Sequence, residues 1–166
     1  RGVTSGGVIA TLQHFPGQGD TQEDSHYAAA HSAKTLDELR ECEMLPFESG
    51  IAAGAGMVMT GHITMDTIDP DVPATLSEKI VTERLRGELG WDGVVITDSF
   101  TMAAITERYD PAQAAVMAIE AGCDIILGPA DPQSVAAAIA ESVSPERIDE
   151  SVLRILRLKL ESGIIE

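Results

Sequence analysis

The chain has 166 residues and a net charge of -16, from 11 basic and 27 acidic side chains. That length supports one domain with a real core, and 44% hydrophobic against 23% charged residues argues against disorder. So acidic a chain repels nucleic acid and anionic membrane, and no apolar run reaches the roughly 18 residues of a spanning helix, so neither is expected as a partner.

Taken in chain order, the first apolar run, over 8–12, predicts a buried strand led in by Gly6-Gly7 and ending at Gln13-His14. A loop, Phe15-Pro16-Gly17-Gln18-Gly19-Asp20, follows. Leu36, Leu39, Met44, Leu45 and Phe47 then recur at helical spacing behind Thr35, an N-cap with Glu38 three residues on. Pro46 should make that helix stumble before it continues to Ala53 and stops at Gly54. Residues 57–60 read as the second strand, closing at Gly61-His62. Ser77, Ile80, Val81, Leu85 and Leu89 give a helix ended by Gly90, and 94–97 is the third strand, delivering Asp98-Ser99 at its C-terminal end. Pro111 opens an alanine-rich helix through Ala121, with Gly122 as its stop. Residues 124–127 form the fourth strand, and two helices close the chain, over 132–142 and from Pro145 to about Glu161 behind Ser144.

Strand, loop and helix repeated about four times is the mark of a parallel α/β architecture, with a sheet buried on both faces. An open doubly wound sheet and a (β/α)₈ barrel both fit; a complete barrel needs roughly 250 residues, so about four units supply half of one. Periodicity leaves that choice open.

The polar residues after the strands are His14, Asp20, Asp24, His26, His62, Asp98 and Ser99, at the edge where parallel α/β folds bind ligands. Asp98 fits an N-cap for the next turn, or a carboxylate held rigidly for nucleophilic attack. Asp24-Ser25-His26 fits a solvated turn, or a carboxylate that orients an imidazole for proton transfer near neutral pH. His14, His26, His31 and His62 match no compact metal-ligand spacing, so no metal is expected. The glycines at 17 and 19 lack the full spacing of a phosphate-binding loop, so no nucleotide cofactor is expected either. Cys42 and Cys123 are too few for a disulfide scaffold and fit free thiols in a reducing, cytoplasmic compartment.

The ordered segments carry a resemblance. Residues 9–21, Ile-Ala-Thr-Leu-Gln-His-Phe-Pro-Gly-Gln-Gly-Asp-Thr, with Asp24-Ser25-His26 shortly after, resemble family 3 glycoside hydrolases. The branch is that of the β-N-acetylglucosaminidases, whose pattern is K-H-F-P-G-H-G-x-T followed by D-S-H. Leu45-Pro46-Phe47, Met59-Thr60-Gly61-His62, Pro73-Ala74-Thr75-Leu76-Ser77 and Leu89-Gly90-Trp91-Asp92-Gly93 match in the family's order. So do Val95-Ile96-Thr97-Asp98-Ser99, with Met102 and Ala104-Ile105, and a C-terminal stretch over 147–156.

The resemblance implies a TIM-like barrel of which this chain is the second half, its four strands being the fifth to eighth. It implies Asp98 as the nucleophile of a retaining mechanism, His26 as general acid/base and Asp24 as its partner. His14, with Gln13, His62 and Ser99, would contact the sugar. Two departures stand out: Gln13 replaces the motif lysine and Gln18 its second histidine. The activity so implied is removal of terminal β-linked N-acetylglucosamine from cell-wall-derived glycans, as in peptidoglycan recycling, with no cofactor. The alternatives are a non-catalytic sugar-binding or structural half-barrel, or an inactive fragment; the opening Arg1 favours truncation. A half-barrel has open strand edges, so pairing with a second copy or with a separate N-terminal half is expected.

Overall fold

The computed structural model describes residues 2–19, 21 and 30–166. Its elements are α1 (Gly2–Ser5), β1 (Thr11–Phe15), β2 (Ala30–Ser32), α2 (Leu36–Glu41), α3 (Leu45–Ala52), β3 (Met57–Thr60), β4 (Ile63–Met65) and β5 (Asp69–Pro73). After a 3₁₀ turn (Ala74–Leu76) and a π-type helix (Lys79–Glu88) come β6 (Val94–Ser99), α4 (Ala103–Thr106), α5 (Pro111–Ala121), β7 (Ile125–Leu127), α6 (Pro132–Ser142) and α7 (Pro145–Glu161). The expected strand–helix alternation is present.

The principal sheet has the order β1-β3-β6-β7 and is parallel throughout. Register runs Val58↔Val95 and Thr60↔Thr97 on one face, Met57↔Val94 and Met59↔Ile96 on the other. The first set is fully buried, whereas Met57, Met59 and Ile96 are only partly so. The sheet is therefore not sealed on both faces, as the apolar runs suggested. By the two-residue alternation of a strand, Asp98 continues the half-open face of Ile96. On the sealed side the helices pack through Val58, Val95, Leu85, Ala114, Ala115 and Ala118, and Phe15 meets Phe47 edge-on at 5.1 Å. Alanines on the buried side of α5 let its backbone approach closely.

Local chemistry sets most boundaries. Thr35 caps α2 in a reciprocal box: its Oγ1 accepts from the Glu38 N–H at 3.4 Å, and Glu38 Oε2 accepts from the Thr35 N–H at 2.8 Å. The interrupted helix expected around Pro46 is two helices, with Pro46 in the first turn of α3, where its missing N–H costs no helical bond. Asp110, Asp131 and Ser144 cap α5, α6 and α7, each followed by proline. Gly122 ends α5 at φ +119°, where a Cβ would also lie 2.8 Å from Thr82 Oγ1.

Two expectations need correction. The first strand starts at Thr11 and ends at Phe15, not over 8–12, because pairing with β3 begins only where Ala10 O accepts from Gly56 and Met57; Val8 is exposed. A second sheet, β2-β4-β5, was not expected: β4 pairs parallel with β2 and antiparallel with β5. Its β2 and β4 strands are three residues each, too short to show a period.

At the N-terminal side of β6 and β7, the buried Asp124 carboxylate ties the layers together. Oδ2 accepts from Arg86 Nη2 at 2.7 Å and from the Val95 N–H at 2.9 Å. Oδ1 accepts from Ser151 Oγ at 2.7 Å and Arg154 Nη1 at 3.3 Å. This joins the π-type helix and α7 to two strands at the end opposite the candidate site.

Candidate active site

Because the sheet is parallel, its C-terminal edge gathers His14 from β1, Gly61-His62 after β3, Asp98-Ser99 from β6 and Gly128 after β7. Asp98 sits centrally. Its Oδ1 accepts from the Ser99 N–H at 2.7 Å, and Oδ2 lies 3.5 Å from His14 Nε2. Both side chains are reachable, with 14% of Asp98 and 28% of His14 exposed. His14 is brought in by backbone contact: Phe15 O accepts from the Gly61 N–H at 2.8 Å, and a Cβ on Gly61 would stand 3.2 Å from His14 Cβ. Glycine at 61 therefore lets β1 and β3 close up where the two residues meet.

His62 lies behind this pair and is only 1% exposed. Its Nε2 is 3.1 Å from the Ser99 carbonyl and its Nδ1 is 3.1 Å from Thr75 Oγ1, which is in turn 2.9 Å from Thr60 Oγ1. The ring meets Phe100 edge-on at 5.9 Å. Burial holds its pKa below the ordinary 6.5, against the raising effect of the Ser99 carbonyl and of the Asp98 charge. A neutral ring with a carbonyl at Nε2 must carry its proton there. Nδ1 is then the acceptor and faces Thr75 Oγ1, which also lies 2.9 Å from Thr60 Oγ1 and 3.0 Å from the Gly61 carbonyl.

The remaining expected residues are dispersed. Ser99 Oγ bonds Thr101 Oγ1 at 2.8 Å rather than the carboxylate, and Gln13 is exposed beside the cluster. His31, one of the four histidines weighed for metal binding, pairs with Asp66 at 2.8 Å between β2 and the residue after β4. Asp20, Asp24 and His26 lie outside the described residues. Thr60 and Thr75 were not singled out for roles, although both fall within matched segments. A hydroxyl at the end of an apolar strand, one residue before Gly-His, was the available signal.

The arrangement offers a partly exposed carboxylate with one oxygen held by a backbone N–H and the other 3.5 Å from an imidazole, on a strand end. That suits attack on, or charge stabilisation of, an electrophilic carbon. Among known proteins, the family described as "Glycosyl hydrolase family 3 N terminal domain" matches residues 1–158. A β-hexosaminidase of Stenotrophomonas maltophilia is 43% identical over 127 residues, covering 76% of this chain and 38% of that protein. The structure of a glycoside hydrolase family 3 β-N-acetylglucosaminidase from a Paenibacillus species superposes with a TM-score of 0.94 at 42% identity, covering 99% of this chain and 33% of that one. A β-glucoside phosphorylase superposes at 0.90 with 27% identity, covering 99% and 32%. These neighbours are TIM-barrel domains of which the chain covers part, and it spans about a third of each relative's length. With the motif order, the parallel sheet and the carboxylate edge all in agreement, the chain belongs to glycosyl hydrolase family 3, within its N-terminal domain.

Proposed function

We propose that this chain carries the nucleophile side of a retaining β-N-acetylhexosaminidase site. The observation that carries the reading is the Asp98 carboxylate at the end of β6, with Oδ1 tied to the Ser99 N–H and Oδ2 left for attack. Oδ2 bonds to the anomeric carbon as the bond to the leaving oxygen breaks, and His26 gives that oxygen its proton. In the second half His26 takes a proton from water, whose oxygen displaces Asp98. Asp24 orients and charges His26. The roles of His26 and Asp24 come from the motif match. His14 stands where it can donate to sugar hydroxyls next to the nucleophile. β-Linked N-acetylglucosamine as the sugar removed follows the names of the relatives, and a cell-wall-derived glycan follows from the motif resemblance alone.

Pairing completes the site in this reading. β1 and β7 are the edge strands of the principal sheet, and Val152, Leu153, Leu156 and Leu160 of α7 are exposed. Sedimentation should give a mass above one chain at micromolar concentration; a strict monomer would remove this part. Cys42, an exposed thiol without a disulfide, fits the reducing cytoplasm, which cell fractionation would test.

The decisive experiment is intact mass after incubation with a fluorinated N-acetylglucosaminyl donor, followed by peptide mapping. An adduct on Asp98, absent in Asp98→Asn, is the expected result. An adduct on another residue, or one surviving in Asp98→Asn, refutes the assignment. Adding phosphate to the turnover assay separates phosphorolysis from hydrolysis, the phosphorylase neighbour being the reason to include it.

A further inference from the structure

We propose that His62 is a positioning residue for the nucleophile and makes no contact with the sugar. The inference deepens the reading of Asp98 as nucleophile and rests on it.

At 1% exposure the imidazole has no edge to offer a ligand. Each of its nitrogens already faces a protein group at 3.1 Å, Thr75 Oγ1 on one side and the Ser99 carbonyl on the other. Ser99 is the residue whose N–H holds Asp98 Oδ1 at 2.7 Å. Its carbonyl, in the next peptide, also accepts from the Met102 N–H at 3.2 Å, and the imidazole is the side chain that meets it. The row Thr60, Thr75, His62, Ser99 thus connects the end of β3 to the end of β6 across the strand ends. Thr75 is itself anchored: its N–H at 3.2 Å and its Oγ1 at 3.0 Å both face the Gly61 carbonyl. Phe100, 1% exposed, backs the ring from the residue after Ser99. The row is buried and each member has a polar partner, and the imidazole spans it with one nitrogen toward Thr75 and the other toward the Ser99 carbonyl. The effect passes to Asp98 through the backbone, as an orientation.

The test has two arms on the full chain. In the first, ¹⁵N–¹H correlation of labelled histidine at neutral pH should find His62 neutral with its proton on Nε2. A proton on Nδ1, or a doubly protonated ring, overturns the proposal whether or not the chain is active. In the second, glycosylation of Asp98 by the fluorinated donor is followed in His62→Phe, which keeps ring volume but no polar ends, and in His62→Gln, whose amide can still donate to Ser99 O. A misplaced nucleophile should slow the inactivation rate constant by about tenfold to a hundredfold in His62→Phe with donor affinity little changed, and His62→Gln should recover most of it. A fall in donor affinity with the rate constant unchanged makes His62 a sugar ligand and overturns the proposal. If His62→Phe does not fold, His62→Gln alone decides by the same split. If the unsubstituted chain takes no label, the Asp98 reading fails while the tautomer arm still judges the row.

Discussion

Replacing Asp124 by alanine is the sharpest probe of how this fold is held. Its carboxylate is fully buried, while the Arg86, Arg147 and Arg154 side chains around it are 13–17% exposed. Asp124→Ala removes the acceptor from the buried Val95 N–H, from Ser151 Oγ and from Arg86, and leaves guanidinium groups facing one another without their anion. Breaking a buried ion pair by deleting one partner costs about 3–5 kcal/mol. The arginines are not wholly stranded. Arg86 still donates to the Gly122 carbonyl at 2.7 Å, and Arg147 to those of Ile119 and Cys123 at 3.0 and 2.7 Å. The lower half of that range is therefore expected, about 3–4 kcal/mol, a large share of the 5–15 kcal/mol typical of a domain. In urea, with a slope of about 2 kcal/mol/M, the unfolding midpoint should fall by roughly 1.5–2 M. A shift below about 0.5 M, with unchanged slope, would refute the idea that this cluster clamps α7 and the π-type helix to the sheet.

Two further outcomes follow from titration and exposure. Cys123 is fully buried, and burial pushes its thiol up to about 12, whereas Cys42 is exposed. A thiol reagent at pH 8 should therefore modify one cysteine per native chain rapidly and the second only after unfolding. Rapid modification of both in the native chain would contradict the packing around Thr60 and Thr75. His62, with its pKa lowered by burial, favours the neutral ring in the folded state. Its contribution to stability is then present above the ordinary value of 6.5 and is lost as pH falls below it toward the folded-state pKa, because the unfolded chain takes up the proton first. Urea midpoints compared at pH 7.5 and 5 should show this loss, and His62→Gln should flatten it; an unchanged slope in that variant would place the effect elsewhere.

The reading of the chain from its residues reached the helices and their ends because those are written locally. Asp110 and Ser144 before prolines, the Thr35 and Glu38 pair, and glycine after Ala121 each act within a turn of the residue they terminate. The strands that deliver Met57–Thr60 and Val94–Ser99 were equally legible, since a short apolar run set off by glycine has few alternatives. With them came the placement of Asp98 at a strand end, a matter of where an apolar run stops.

What the tertiary structure decided depends on contacts between distant segments. The late start of β1 and the short second sheet follow from pairing partners that no local window contains. The same holds for the site. That His14 reaches the Asp98 carboxylate while His62 turns away to the Ser99 carbonyl and Thr75 cannot be read from a list of histidines, because both follow strands and both lie in matched motifs. Only the parallel stacking of β1, β3 and β6, with glycine at 61 allowing close approach, determines which imidazole meets solvent and which is buried behind the nucleophile. Residue type named the candidates; long-range packing assigned their surroundings, and with them which groups a ligand can reach.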